Sequence, residues 1–154
     1  MDAIALLKSD HRKVKELFRK YEAAGARAYQ KKKSLAEEIS TEIRIHSMLE
    51  EELFYPAVKE RTDKNGRELV AESVEEHHVV ATLIEELKVL DPQDERFDAK
   101  LTVLMENVEH HIEEEEGELF PEAEEVLGDA IDDLGDQMKE RKGQLTASLP
   151  STRA

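Results

Sequence analysis

Apolar residues recur along the chain at intervals of three and four positions, which is the period of an amphipathic α-helix. Four such stripes follow one another, and the alternation of β-branched residues that is typical of strands is nearly absent. The pattern therefore predicts an all-α protein with four long helices. The positions that define the stripes are Ile4, Leu7, Val14, Phe18 and Tyr21; Ile39, Ile43, Leu53 and Phe54; Val70, Val74, Ala81, Ile84 and Leu87; and Leu101, Leu104, Val108 and Leu119.

Short polar or glycine-containing segments separate the stripes. Gly25 is predicted to end the first helix, Asp63-Lys64-Asn65-Gly66 to form a turn, and Asp91-Pro92 to stop the third helix. Short connections place consecutive helices side by side and antiparallel, so we expect an up-down-up-down four-helix bundle. Pro56 and Pro121 fall late in the second and fourth helices, where we expect them to bend or reset the helix rather than end it.

A shorter helix is predicted near the C-terminus, from about Ala130 to Lys142, where it would cap the bundle. The segment Ser148-Leu149-Pro150-Ser151-Thr152 has the composition of a frayed end. We therefore predict one domain over residues 1–145, followed by a flexible tail over residues 146–154.

The histidines fall into two groups according to their position on these stripes. Of the six in the chain, four continue an apolar stripe, one on each predicted helix, and should face the core: His11, His46, His77 and His111. His78 and His110 instead share their helix faces with acidic and polar residues, so we expect both to face solvent. Each helix would thus place one histidine inside the bundle.

Two glutamates share a helix face with these histidines. Glu50 lies four residues after His46, and Glu115 lies four residues after His111. That spacing is weak on its own, because 37 of the 154 residues are acidic. It gains weight from an internal repeat: residues 46–56 overlay residues 111–121 with matching His, Glu-Glu and Pro, and with Tyr55 over Phe120. The chain is predicted to contain two copies of one helical hairpin, related by a pseudo-twofold axis.

Six polar groups in one core layer would be expensive to bury without a partner. An unpaired buried polar group costs about 2–7 kcal/mol, against a typical protein stability of about 5–15 kcal/mol. A cation would satisfy the lone pairs and the negative charge together. Because the chain has no cysteine, the ligands must be nitrogen and oxygen atoms, a set that suits iron and also manganese, zinc or copper. Carboxylates can bridge two ions, a role open to Glu50 and Glu115.

One other interpretation of these residues stays open at this point, and two more find little support in the sequence. The six side chains could form a layer of charged histidines and glutamates without metal, inside a domain that serves as a scaffold. A ferritin-like centre would need Glu-x-x-His, but the residues three positions before His46, His77 and His111 are apolar. The His-Glu-x-x-His motif of zinc peptidases is absent.

The order His11, His46-x-x-x-Glu50, His77, His111-x-x-x-Glu115 resembles the hemerythrin-like family, in particular its HHE cation-binding branch. The resemblance spans roughly residues 4–121. It implies two iron ions, bridged by oxo or hydroxo, between the four helices, with the six residues as ligands. It also implies that dioxygen, nitric oxide or peroxide binds at an open iron position. We expect a metal-binding protein rather than an enzyme, with catalase-like peroxide decomposition, iron storage or iron sensing as alternatives.

The chain departs from the oxygen carriers of that family at one ligand. Those proteins have two histidines one turn apart on the third helix, whereas the positions one turn either side of His77 are Ser73 and Ala81. Water, Glu51 or the phenolate of Tyr55 could take the place of the missing histidine. A phenolate would suit ferric iron and would argue against reversible oxygen carriage.

Charge and composition limit the partners. The formal net charge of −15 would repel a phosphate backbone, so we do not expect nucleic acid to bind. The apolar runs are too short for a membrane span, and the N-terminus does not read as a secretory signal. We expect a cytoplasmic protein that is a monomer or a weak homo-oligomer. A small apolar pocket for the ligand should be walled by Val14, Phe54, Val80 and Val108.

Overall fold

The computed structural model describes residues 1–149, which form helices joined by short loops, with no strand among them. Two segments are π-helical, and each continues directly from one α-helix into the next. The helices are α1 (Ala3–Ala23), α2 (Tyr29–Leu49), π1 (Glu50–Phe54), α3 (Tyr55–Lys59), α4 (Lys64–Lys88), α5 (Glu95–Glu114), π2 (Glu115–Leu119), α6 (Phe120–Leu127) and α7 (Ala130–Ser148).

Because π1 and π2 do not interrupt the chain direction, α2 to α3 and α5 to α6 are each one long helix. With α1 and α4 they form the predicted up-down-up-down bundle of two hairpins. The first hairpin consists of α1, α2, π1 and α3, and the second consists of α4, α5, π2 and α6. The all-α bundle with an additional C-terminal helix is confirmed.

Aspartates fix where three helices begin. The side chain of Asp2 accepts a hydrogen bond from the Ala5 amide at 2.7 Å, and Asp94 caps α5 in the same manner. At α4, Asp63 accepts from the Gly66 amide at 3.0 Å. The turn predicted over residues 63–66 is therefore wrong: Asp63 is the cap, and the three residues after it form the first helical turn. Gly66 is needed there because an added Cβ would lie 1.8 Å from Oγ1 of Thr62.

Both prolines lie just beyond a π-helical segment. The amide of Tyr55 bonds to the carbonyl of Glu50, five residues back, and that of Phe120 bonds to Glu115 in the same way. A proline has no amide hydrogen, and its ring clashes with the carbonyl four residues earlier, so a widened turn before it relieves the conflict. The helix continues past Pro56 and Pro121, as predicted.

Two apolar clusters fill the bundle on either side of a polar layer. One contains Leu7, Leu49, Phe54 and Phe120, and the other contains residues such as Phe18, Ile39 and Leu104. The predicted stripes face these clusters, with one exception: Ala81 is exposed, because the inward position on α4 is taken by Val80.

Helix α7 lies along the first hairpin. Met138 is fully buried, and a Cβ at Gly135 would lie 2.3 Å from the carbonyl oxygen of Met1, so only glycine permits this approach. The helix extends to Ser148, beyond the predicted end at Lys142. Residues 146–148, predicted to belong to the tail, are thus helical, while residues 150–154 lie outside the described residues. Within residues 1–149, no helix has the length and apolarity to cross a membrane.

Candidate metal centre

The six predicted residues meet in the polar layer between the two apolar clusters. The four histidines are between 3% and 8% exposed, and both glutamates are 0% exposed. The two remaining histidines, His78 and His110, are exposed as predicted. The structure therefore brings together the residues that the repeat singled out, and their ligation of a metal stays a prediction.

The side chains form two groups of three, each drawn from both hairpins. Within each group, the ligand atoms lie within 4.8 Å of one another. The first set consists of His11, His46 and Glu115, and the second set consists of Glu50, His77 and His111.

Each glutamate also contacts histidines of both sets. Oε1 of Glu50 lies 3.2 Å from Nε2 of His46 and 3.0 Å from Nε2 of His77. Oε1 of Glu115 lies 3.2 Å from Nε2 of His11 and 3.4 Å from Nε2 of His111. The two carboxylates therefore stand between the sets, where a bridging carboxylate would be needed.

Every one of the four histidines turns Nε2 inward and Nδ1 outward. Each Nδ1 lies within hydrogen-bond distance of a carboxylate. When the imidazole is neutral and carries its proton on Nδ1, the carboxylate accepts a hydrogen bond from it, and the lone pair of Nε2 faces the centre. An imidazole held in this way is oriented for a metal before the metal arrives. The pairs are His11 with Glu116 at 2.7 Å, His46 with Asp10 at 3.0 Å, His77 with Glu51 at 2.8 Å, and His111 with Glu76 at 2.7 Å.

These outer carboxylates come from equivalent positions of the internal repeat. Asp10 precedes His11 in the sequence and holds the histidine of α2, and Glu76, which precedes His77, does the same for α5. Glu51, which follows Glu50, and Glu116, which follows Glu115, each hold the first histidine of the opposite hairpin. Asp10-His11 and Glu76-His77 occupy equivalent positions of the two repeats, but their spacing alone did not reveal the role of the two acidic residues. An acidic residue at equivalent positions of both repeats was the available signal.

Two buried polar atoms in the layer lack a hydrogen bond, although charged groups lie close to them. Nε2 of His46 and Oε2 of Glu50 have no exposure to solvent and no hydrogen bond among the described residues. Nε2 of His77 and Nε2 of His111 also face each other at 3.3 Å. A cation between these atoms would satisfy all of them, since it accepts lone pairs from imidazole and carboxylate alike. The residues present therefore fit a metal centre.

Without metal, the layer is held by charge. Burial opposes protonation of His46, but Glu50, Asp10 and Glu115 together outweigh it, so the pKa of His46 lies well above its ordinary value. Burial likewise opposes ionisation of Glu50, but His46, Glu115 and His111 together outweigh it, so the pKa of Glu50 lies well below its ordinary range. At His111, hydrogen bonds to glutamates overcome burial and raise the pKa to about 12. Metal binding at these histidines must therefore displace protons.

Tyr55 reaches the centre across π1. In a π-helix, residues five apart lie on the same face, so Tyr55 points inward together with Glu50. Its hydroxyl donates to Oε2 of Glu115 at 2.7 Å and lies 3.3 Å from Nε2 of His77 and 3.5 Å from Nε2 of His111. Of the three substitutes considered for the missing histidine, Tyr55 has its oxygen among the ligand atoms of the second set.

Glu51 is not positioned for that role. Its carboxylate accepts from Nδ1 of His77 on the outer side of the ring, so it does not face the ligand atoms. Ser73, one turn before His77, is buried, and its hydroxyl is a weaker metal ligand than an imidazole. The repeat partner of Tyr55 is Phe120, whose ring stacks on His11 with centroids 5.6 Å apart. The two sets therefore differ in the aromatic residue that covers them.

A cavity of about 30 Å³ lies beside the inner histidines. A cavity needs roughly 10–15 Å³ of such space to hold one water molecule, so this one has room for a small molecule. Val14, Val80 and Val108 line it as predicted, together with Ile43 and Ile112. Phe54 does not: it belongs to the apolar cluster on the other side of the polar layer, where its ring meets Phe120 edge-on.

An all-helical bundle with two His₂Glu sets between its helices defines a metal-binding protein of the four-helix class. The chain matches the Hemerythrin HHE cation binding domain over residues 2–123. It therefore belongs to the hemerythrin HHE cation-binding family.

Similar proteins share this fold over nearly the whole chain. A crystal structure of a hemerythrin HHE cation-binding domain-containing protein from Mycobacterium kansasii superposes with a TM-score of 0.82 at 28% identity, covering 96% of this chain and 89% of that one. An uncharacterised protein of Mycobacterium tuberculosis is 31% identical over 153 residues, with 96% and 89% covered. An uncharacterised hemerythrin-like protein of Schizosaccharomyces pombe is 26% identical over 120 residues. These residues cover 78% of this chain and 58% of the relative's length.

Proposed function

We propose that this protein holds two iron ions, one in each set, and binds a small ligand of the class of dioxygen, nitric oxide or peroxide beside them. The observation that carries the proposal is the position of the two carboxylates. Glu50 and Glu115 each contact histidines of both sets, and each is 0% exposed. A buried carboxylate placed in this way neutralises charge on two cations at once.

The donor atoms favour iron. Four imidazole nitrogens, two carboxylates and one phenol form a set without thiolate, which iron accepts in both of its common oxidation states. Manganese, zinc and copper also bind such atoms, so iron is the part of the proposal that metal analysis must test. Two bound irons would supply an open coordination position and electrons for exchange with a ligand.

The cavity limits the ligand to a few atoms. Its space of about 30 Å³ suits a diatomic molecule or hydrogen peroxide, and an organic substrate would not fit without rearrangement. The valine and isoleucine side chains around it restrict bulk water, while the histidines form the inner wall. These residues select by size and polarity rather than by hydrogen bonds.

The first experiment is metal analysis with an optical spectrum of the protein purified in air, then reduced without oxygen, then re-oxygenated. About two irons per chain, and absorption that changes reversibly with oxygen or nitric oxide, are expected. A protein without stoichiometric metal but with full helicity and an unchanged melting temperature would refute the proposal. The histidines and glutamates would then form a charged layer in a scaffold domain.

Tyr55 favours a second candidate function, the decomposition of peroxide. Burial and the neighbouring carboxylates Glu50 and Glu115 raise the pKa of Tyr55 well above the ordinary value. Without metal, the phenol therefore keeps its proton and donates a hydrogen bond to Glu115. A proton held at this oxygen beside the second set is suited to peroxide chemistry, in which two molecules of hydrogen peroxide yield two of water and one of oxygen. Oxygen evolution from peroxide by the iron-loaded protein, measured with an electrode, tests this function.

A further inference from the structure

The first set is connected to helix α7 by an ion pair. Nζ of Lys142 lies 2.6 Å from Oδ1 of Asp10, and Oδ2 of Asp10 lies 3.0 Å from Nδ1 of His46. A continuous chain of contacts thus runs from α7 to a histidine of the first set. The helix lies outside residues 2–123, the part that matches the family domain.

Within the part of the chain that the structure describes, no lysine or arginine pairs with the equivalent carboxylate of the second set. Glu76 is the counterpart of Asp10, and within residues 1–149 its ion pairs are formed with His111 at 2.7 Å and with His110 at 3.9 Å. Its side chain is 26% exposed, whereas that of Asp10 is 5% exposed. The carboxylate behind His46 is therefore buried and held from two sides, and the carboxylate behind His111 is open to solvent.

Helix α7 is firmly placed for this contact. Met138 and Leu145, on either side of Lys142, are buried in the apolar cluster that also contains Leu7. The preceding residue on the helix, Arg141, forms two hydrogen bonds with Glu52, at 2.8 and 3.2 Å. The packed helix thus presents Lys142 to the buried Asp10, whose two carboxylate oxygens are held by Lys142 on one side and by His46 on the other.

We infer that Lys142 is a positioning residue: through Asp10 it fixes His46 and makes the first set the tighter of the two metal positions. Carboxylates behind a metal-binding histidine commonly change metal affinity by about 10- to 100-fold. Lys142 acts one contact further out, and we expect about a tenfold effect on one position only. The inference rests on the proposed two-metal centre.

The test compares Lys142→Met with Arg141→Met in the full chain. Both variants remove one positive charge from α7, but only the first removes a contact to Asp10. The Lys142 side chain is 35% exposed, so the substitution should leave the fold intact, which circular dichroism checks. Cobalt(II) serves as the probe, with stepwise dissociation constants measured by calorimetry. Anomalous diffraction from crystals grown at one Co(II) per chain gives the occupancy of each set.

In the wild type, we expect the first set to fill before the second. Lys142→Met should raise the first dissociation constant about tenfold and make the Co(II) occupancies of the two sets more nearly equal. Arg141→Met should match the wild type, and Lys142→Arg should restore the preference. Unchanged or tighter binding in Lys142→Met, or an equal shift in Arg141→Met, would overturn the inference while leaving the metal centre intact. A wild type that takes up no Co(II) would instead refute the proposed centre, and the inference with it.

Discussion

The two hairpins are built on one plan and finished differently. Each contributes two histidines, one glutamate with no exposure to solvent, and two outer carboxylates at equivalent positions. At the first set, Phe120 stacks on His11, and Lys142 supports Asp10 from α7. At the second set, a phenol lies among the ligand atoms, and the outer carboxylate is open to solvent.

On the proposed two-metal centre, we infer that the two sets have different roles. The residues that the sets share would hold the cations, whereas the residues that break the symmetry change the aromatic contact and the support behind one histidine. The first set, with the buried Asp10 behind His46, would suit a metal that stays in place. The second set, with a phenol among its ligand atoms, would suit the metal at which a ligand exchanges. The predictions that follow test the shared plan first and then the asymmetry.

The largest effect is expected from Glu115→Ala. Because Glu115 contacts His11 of the first set and His111 of the second, its removal should abolish binding of at least one metal. The measurement is metal content per chain after loading with Fe(II) and gel filtration. Glu113→Ala, at an exposed position on the same helix, is the control and should retain both metals. Full retention in Glu115→Ala would contradict a bridging role.

The pH dependence should be nearly as large. His46 and His111 have strongly raised pKa values, so metal-free protein carries their protons at neutral pH and must release them on binding. With about two protons released, the overall two-metal constant should rise about a hundredfold per pH unit near neutrality. Calorimetry in buffers of different ionisation enthalpy counts these protons. Release of fewer than one proton would contradict the charged state inferred for the metal-free layer.

The same shifts affect folding without metal. A raised histidine pKa stabilises the fold fully below the ordinary value of 6.5, and this contribution is lost as the pH rises through the folded-state pKa. A lowered glutamate pKa stabilises it above 4.5, and this contribution is lost as the pH falls. The metal-free chain should therefore be most stable between these values. The increase in melting temperature caused by metal should be larger at pH 7.5 than at pH 5.5.

The asymmetry itself is tested by exchanging the aromatic residues. Tyr55→Phe makes the second set resemble the first, and should lower any peroxide decomposition about a hundredfold, the usual effect of losing a positioned proton donor. A visible phenolate band of the ferric protein, if Tyr55 binds iron, should disappear in the same variant. Phe120→Tyr is the reciprocal control. An unchanged rate and spectrum in Tyr55→Phe would leave Tyr55 as a structural residue at the end of the bundle.

The sequence could predict the shared plan because that plan is written in local spacing. Helical period places His46 and Glu50 on one face, and the repeat places His111 and Glu115 on another. Tyr55 could be named only as one of three choices, since a helix of regular period does not align it with Glu50, and the π-turn does. The contact between Asp10 and Lys142 joins residues far apart in the chain, so no spacing could indicate it. The outer carboxylates were hidden by the abundance of acidic residues.

The smallest effect is expected from His78→Ala, and it separates the interior set from the remaining histidines. His78 is a neighbour of His77 in sequence but is exposed on α4, outside both sets. Its removal should leave metal content unchanged and alter the free energy of unfolding by less than about 0.5 kcal/mol, as for most surface substitutions. Metal analysis and chemical denaturation measure the two quantities. His77→Ala is the comparison variant, and it should lose metal. Because the two residues are adjacent and chemically identical, only their orientation on the helix distinguishes them. Equal metal loss in both variants would show that the centre depends on histidine content near this turn rather than on the inward geometry.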